Sequence, residues 1–329
     1  MTASRLQSAI EITAAGGPEV LKLVELPVPE PGPSQILVEV AAAGVNRHDC
    51  HQRSKGIRHD GLGVPGLEVA GTVAELGAEV TGLSLGDRVM ALTQGGGYGQ
   101  YVLADAALTM PVPEGLSMVE AACVPEAIFT TWWNFFGLME LKRQDCALIH
   151  GGASGVGHIA LQALSALGYR VFATAGNSAK LTAALSFGAE AAFDYHDPDL
   201  AKKVVDATGG QGIGALLDMS AGAHIDQDLE MMAPDGCIAH LSGGGGKALA
   251  LPLSQVMAKR IRVTGSLLRP LPLAMKTEVA ARIRAEVLPL IGQRVRPVIA
   301  QEFPLMAASD AHRELERNTT VGKIAIRVI

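Results

Sequence analysis

Cysteine is scarce in this chain: four in 329 residues, Cys50, Cys123, Cys146 and Cys237, far apart and with no CxxC pair. That spacing argues against a disulfide framework and against a structural zinc lobe. Long apolar runs are missing too. No stretch reaches the roughly 18 uninterrupted apolar residues of a membrane span. A basic stripe is missing as well. The net charge is -6, and a short cluster such as KRIR at 259–262 reads as a strand edge or a solvated face, so no nucleic-acid partner is expected. The opening residues, MTASRLQSAIEITAAGGPE, lack the charged-then-apolar order of a secretion signal. A soluble, cytoplasmic protein is the expectation. Aromatics make up only 4%, which makes TTWWNFF at 130–136 conspicuous, since it holds both tryptophans. An aromatic wall for a flat ligand is one reading; buried packing is the other, and the commoner fate of such residues.

What remains is a core-forming composition, 48% hydrophobic and 18% charged, on a chain long enough for two domains. The first third is cut by Gly and Pro into short β-type runs: QILVEVAAAG, EVAGTVAELG, DRVMALT and GQYVLAD. From about residue 120 the rhythm changes. A helical stretch, VEAACVPEAIFTTWWNFF, leads to the strand CALIH, a helix, the strand RVFAT, the helix SAKLTAALSFG, and the strands AAFDY, ALLDM and CIAHL. Strands alternating with helices at this spacing predict a parallel sheet covered on both faces. The chain closes on a further strand, GKIAIRVI. The expected class is therefore α/β, with a doubly wound domain inserted into a mostly β one.

The stretch LIHGGASGVGHIALQ, residues 148–162, carries the main chemical signal. A strand ends at His150, small residues follow, and a helix starts with Ile159, Leu161, Leu164 and Leu167 on one stripe and Gly168 as its stop. A dinucleotide-binding turn needs such a sequence: small residues where backbone meets pyrophosphate, and helix amides facing it. Gly152, Ser154 and Gly157 stand at the three positions of GxGxxG, with serine in the middle. A nucleophile elbow, GxSxG, fails because Val156 occupies its last position. A tight strand–helix turn with no ligand is the bland alternative.

The next strand bears on cofactor choice. An NAD site ends it with an acid that grips the ribose 2′-hydroxyl about 20 residues past the glycines. Here Ala175 and Gly176 stand there, and Asn177, Ser178 and Lys180 follow. No carboxylate repels a 2′-phosphate and a cation is near, which favours NADPH. The alternative is that Lys180 is a solvated helix residue.

The stretches GVNRHDCHQR, PGLEVAGTV, GGGYGQYV, VPEAIFTTWWN, LIHGGASGVG, TGSLLR and VGKI together carry a family resemblance over nearly the whole chain. The sequence resembles the medium-chain dehydrogenase/reductase superfamily, in its zinc-independent quinone oxidoreductase branch related to zeta-crystallin, and most of all the tumour-suppressor-inducible quinone oxidoreductases. That resemblance implies a GroES-like, mostly β substrate domain from residues 1–122 and 266–329. It also implies a Rossmann domain, residues 123–265, that binds NADPH, hydride transfer to a quinone, and a homodimer. It places Asn46 and Thr130 by the nicotinamide, where they would orient the reactants. Ser154, Gly155, Val156 and Gly157 fall at the pyrophosphate, and Lys180 and Tyr195 flank the 2′-phosphate. Ser242, Gly243, Ser266, Leu267 and Asn318 line the nicotinamide side. The zinc ligands of related alcohol dehydrogenases correspond to Asn46, Leu67 and Glu126; leucine cannot ligate, so no metal is expected. Glu126 reads as a carboxylate at a helix end or as an acid of shifted proton affinity, and is given no proton-transfer role.

The sequence departs from the family pattern at QRSKGIRHDGLGVPG, which is shorter and carries Arg58 near an expected tyrosine. Arg58 signals either a taste for polar or anionic quinones or an exposed loop arginine. His48, Cys50, His51 and His59 gather nearby at spacings that fit no standard zinc ribbon. Two rivals to quinone reduction stand: a reductase of activated C=C bonds in enones and enals, which needs a proton for the α-carbon, and a non-catalytic NADPH-binding protein.

Overall fold

A computed structural model describes residues 5–58, 63–243 and 248–329 of the chain. Two compact units emerge. Met1–Glu126, Lys276–Gly292 and Arg296–Ile329 form the first; Ala127–Met275 and Gln293–Val295 form the second. Residues 123–126 thus join the first unit and residues 266–275 stay with the second.

In chain order the elements begin with strands β1 (Leu6–Ile12), β2 (Leu21–Pro27) and β3 (Gln35–Val45), then helix α1 (Arg47–Lys55). Strands β4 (Glu68–Leu76), β5 (Arg88–Leu92), β6 (Tyr101–Asp105) and β7 (Thr109–Pro111) follow, with helices α2 (Met118–Ala121) and α3 (Pro125–Trp132). The alternating part then runs β8 (Cys146–His150), α4 (Gly157–Ala166), β9 (Arg170–Ala175), α5 (Ser178–Ser186), β10 (Ala191–Asp194), α6 (Leu200–Ala207) and β11 (Ile213–Asp218). It continues through α7 (Ile225–Met231), β12 (Met232–His240), α8 (Leu253–Lys259) and β13 (Arg262–Gly265). Helix α9 (Leu273–Glu286), β14 (Ile299–Pro304), α10 (Ala308–Glu316) and β15 (Lys323–Arg327) complete the chain.

The first unit is built on strand β3. Its first half pairs with β6 (Gln35↔Asp105 to Glu39↔Tyr101), its second half pairs with β15 (Ala42↔Arg327 to Val45↔Ile324), and β4 runs antiparallel along it. Two register shifts against β4 bend the strand so that it can serve all three partners. Alternate residues Ile36, Val38 and Val40 enter one apolar core with Val69, Val89, Ile324 and Ile326. A buried polar chain ties α1 to α10. Arg53 reaches His312 Nδ1 at 3.2 Å, His312 Nε2 lies 3.2 Å from the Tyr98 hydroxyl, and that hydroxyl donates to Asp49 at 3.1 Å. Because a guanidinium can only donate, Nδ1 accepts and the imidazole proton sits on Nε2. Burial pushes the Asp49 carboxyl up to about 7, against the pull of the Asn46 N–H and the Tyr98 hydroxyl.

The second unit holds six parallel strands in the order β10-β9-β8-β11-β12-β13. This is the doubly wound 3-2-1-4-5-6 arrangement, and the order reverses between β8 and β11. All five residues of β8 are buried. Ala147 and Ile149 face the core under α4, while Cys146 and Leu148 face the one under α6 and α7. Apolar residues up to its last position are what a sheet covered on both sides requires, and that last residue, His150, is buried against Asp228 at 2.8 Å. The aromatic stretch is mainly packing: Trp132 and Phe135 are fully buried, and residues Trp133–Leu138 form a π-helical turn. In KRIR, Lys259 ends α8 with its ammonium on the carbonyls of Leu229, Glu230 and Met232, and Arg262 opens the edge strand β13.

Burial, reinforced by Arg53, holds the His312 imidazole down to about 3, against an ordinary 6.5. A depressed basic group takes its proton in the unfolded chain first, so stability falls as pH drops from about 6.5 towards 3, by about 1.4 kcal/mol per pH unit for one proton. His312→Gln keeps a donor and an acceptor but does not titrate. Urea melts at pH 6.5 and 4.5 should show the parent losing about 2.5 kcal/mol more than the variant. Equal losses would refute the assignment.

Candidate active site

The turn after β8 is shaped by contacts that exclude side chains. Gly151 takes φ +73°. A Cβ on Gly152 would lie 2.6 Å from the Ala173 methyl, and one on Gly157 would lie 2.3 Å from the Gly151 carbonyl oxygen. Helix α4 therefore starts against the strand with no room for a larger residue at either place. Ser154, at the middle position, accepts the Gly157 N–H on its hydroxyl at 3.1 Å. It thus does the work of a cap at the helix start. Among the described residues no acceptor faces the N–H groups of Gly155 and Val156. Donors at a helix start, above the switch point of a parallel sheet, suit an anion.

At the end of β9, Ala175 is buried and Gly176 packs under Tyr195. A Cβ on Gly176 would stand 2.1 Å from the Tyr195 hydroxyl oxygen. Asn177 caps α5, accepting the Lys180 N–H at 2.9 Å, and the first turn of that helix carries no acid. Asp194 ends β10, and its carboxylate is occupied by the backbone N–H and Nδ1 of His196, at 2.9 and 2.8 Å. The structure thus gathers Asn177, Ser178, Lys180 and Tyr195 around the ends of two neighbouring strands. No acid stands at the end of β9 or in the first turn of α5 to oppose a phosphorylated nucleotide there.

Ser242 and Gly243 follow β12, and Ser266 and Leu267 follow β13. The Ser266 N–H donates to the His240 carbonyl at 3.0 Å, which joins the two strand ends. The Ser266 hydroxyl donates to Asn134 Oδ1 at 2.9 Å, and Asn134 Nδ2 donates to the Thr130 carbonyl at 2.8 Å. Thr130 is buried, whereas Leu267 is 68% exposed. Sequence reasoning missed the pair beside them, Asp218 and His240, joined at 2.7 Å through Nδ1. Burial alone would raise the Asp218 carboxyl, but donation from His240, Ser220 and Gly222 outweighs it and holds the group below the usual carboxylate range.

In the first unit Asn46 lies in a buried network whose other members went unread. Lys323 Nζ is 2.5 Å from Glu68 Oε1 and 2.6 Å from Asn46 Oδ1, and Asn46 Nδ2 donates to Glu68 Oε1 at 3.0 Å. Glu68 Oε2 accepts the Glu126 N–H at 2.9 Å. Burial would lower the Lys323 ammonium, but Glu68, Glu126 and Cys123 together overcome this and hold it above its ordinary value. The carboxylate can lie this close to β3 because Gly44 has no Cβ, which would fall 2.1 Å from Glu68 Oε1. Asn318 sits at φ +60° and accepts from Arg47, the residue after Asn46. The signal for Lys323 was present: a lysine followed by IAI in a strand core is either paired or misplaced.

Two family models match the chain: an alcohol dehydrogenase GroES-like domain over residues 32–114 and a zinc-binding dehydrogenase over residues 155–283. The quinone oxidoreductase of Sus scrofa is 31% identical over 321 residues, 95% of each chain. The chain belongs to the medium-chain dehydrogenase/reductase superfamily. It is an oxidoreductase of that type. A mycobacterial quinone oxidoreductase superposes with a TM-score of 0.85 at 31% identity, covering 98% of this chain and all of its own. The Escherichia coli quinone oxidoreductase complexed with NADPH gives 0.84 at 27% identity, with the same coverage. Among the described residues no helix is long and apolar enough to cross a membrane.

One family model carries zinc in its description, and the donor chemistry of this medium-chain enzyme opposes it. Leu67 is apolar and buried, and the Lys323 ammonium already holds the oxygen that Asn46 would offer. A fixed cation at that distance repels a second one. Among the described residues no three His, Cys, Asp or Glu side chains gather as a cation cage. His59 lies outside the described residues. Burial pushes the Cys50 thiol up to about 12, which leaves no reactive thiolate. Arg58 is paired with Glu11 on β1 at 2.9 Å.

The glycine contacts make a sharp contrast. Gly157→Ala should cost about 2–3 kcal/mol by overpacking, while Ser154→Ala, which only removes a cap acceptor, should cost about 1 kcal/mol. Urea denaturation of both variants checks the order; a milder Gly157→Ala would show that the turn can open.

Proposed function

We propose that this enzyme reduces quinones with NADPH and without a metal. The observation that carries the reading is the Lys323–Glu68–Asn46 network, in which a buried ammonium already takes up the amide oxygen of Asn46, a residue that stands where related alcohol dehydrogenases carry a zinc ligand in sequence. Without a Lewis acid, oxidation of an alcohol lacks the group that stabilises its alkoxide. A quinone needs less assistance, because it accepts hydride readily and spreads the resulting charge over a ring.

Bound NADPH would supply the hydride. Ser154, Gly155, Val156 and Gly157 would cradle its pyrophosphate; Asn177, Ser178, Lys180 and Tyr195 would receive the 2′-phosphate. Ser242, Gly243, Ser266, Leu267 and Asn318 would border the nicotinamide, and Asn46 and Thr130 would orient the reacting rings. Positioning of this kind accounts for much of the rate when the acceptor is intrinsically reactive. Relatives named as quinone oxidoreductases, one of them described with NADPH, support the same reading. A cytoplasmic homodimer is the form we propose for it.

NADPH should bind more tightly than NADH, and Lys180→Ala should narrow the gap by about tenfold, the value of one charge-assisted contact. Isothermal titration of both nucleotides against both proteins measures this, and a parent that binds the two alike sinks the 2′-phosphate assignment. Turnover with parallel quinone and enone panels then tests the substrate class: quinones should lead, and a tenfold preference for enones would overturn the choice.

A further inference from the structure

We propose that the Lys323–Glu68 pair fixes the polarity of the Asn46 amide, so that Asn46 presents an N–H donor to the electron acceptor and stabilises the negative charge placed on its oxygen. The inference rests on the quinone reading above and names what Asn46 does within it.

The argument begins with what each neighbour is able to do. An ammonium has no lone pair, so the atom of Asn46 that lies 2.6 Å from Lys323 Nζ is the carbonyl oxygen. An ionised carboxylate has no hydrogen, so the atom 3.0 Å from Glu68 Oε1 is the amide nitrogen. A flip of the amide would set NH₂ against NH₃⁺ and C=O against COO⁻, so both ends oppose it. Glu68 is itself held on several sides: it accepts from Lys323, from Asn46 and from the Glu126 N–H, and it is seated over Gly44. Lys323 and Glu68 are 2% and 0% exposed at their side chains, so water does not loosen the arrangement. One Nδ2 hydrogen is spent on Glu68, and among the described residues the other has no acceptor.

A pre-oriented donor in a low-dielectric setting is the device by which enzymes stabilise a developing oxyanion. Here the charge to be stabilised is that of the reduced acceptor. Bound NADPH would supply hydride from its C4–H bond to one carbonyl oxygen of the quinone; the ring π electrons would rearrange, the far C=O π pair would pass to its own oxygen, and a hydroquinone monoanion would result. A solvent proton neutralises it. NADPH, quinone and one proton give NADP⁺ and hydroquinone. Asn46 donates to the anion; Lys323 and Glu68 are positioning residues that act through it.

The test uses quinones of graded reduction potential with the full-length enzyme and NADPH. Asn46→Leu removes the donor at similar volume and leaves the ion pair. It should lower kcat about 100-fold on the weakest oxidant and progressively less on stronger ones. Lys323→Met should show the same trend at smaller amplitude, and Lys323→Arg should recover part of the loss. Equal loss on every quinone, or none, overturns the proposal. A second readout needs no turnover. 4-Nitrophenol bound to the parent should ionise at a lower pH than the free dye, seen in its absorbance, and Asn46→Leu and Lys323→Met should abolish that shift; a bound dye that ionises like the free one counts against the donor. If Lys323→Met does not fold, Lys323→Met/Glu68→Gln removes both charges together and replaces it. An enzyme that oxidises NADPH with no quinone ends the functional reading, while the dye still judges the donor.

Discussion

Burying an ammonium costs several kcal/mol unless anions and acceptors surround it, and Lys323 is surrounded by Glu68 and Asn46 with no slack. Much of the first unit's architecture serves that requirement. The bend of β3 brings Gly44 beneath the carboxylate, β15 carries the lysine alongside it, and α3 begins with a backbone N–H on the second carboxylate oxygen. The interaction is a poor source of net stability, since a well-packed apolar trio could do as well. Its worth lies in what it dictates to Asn46.

The second unit was the more legible in the sequence, for a physical reason. A strand buried on both faces must be continuously apolar, a helix on it must repeat every three to four residues, and the turn between them tolerates only small side chains. CALIH, GGASGVG and the stripe through Ile159, Leu161 and Leu164 follow those rules almost without exception, and the elements form where they predict. The glycines are legible for the same reason: Gly152 and Gly157 touch atoms that no Cβ could approach.

The site in the first unit was legible only by resemblance, and only in part. Asn46 could be placed, but its partners are distant in sequence, Glu68 by 22 residues and Lys323 by 277. No local pattern encodes a contact of that range. Arg58, whose charge suggested either a substrate preference or an exposed loop arginine, is exposed and paired with Glu11, in keeping with the second reading. Asp218 and His240 were hidden by their settings, the ends of two strands read simply as apolar core. Buried charge is where pattern reading is weakest, because hydropathy registers such a residue as an anomaly and is silent on its counterpart.

The packing of Tyr195 on Gly176 has an evolutionary consequence. With the phenol oxygen 2.1 Å from where a Cβ would stand, a side chain at 176 and the ring at 195 as it lies exclude each other. Any side chain introduced at 176 has to move the half-buried tyrosine ring aside in the same step. Positions 176 and 195 are thus coupled through one contact, and descendants of this chain that acquire a side chain at 176 are expected to vary at 195 as well.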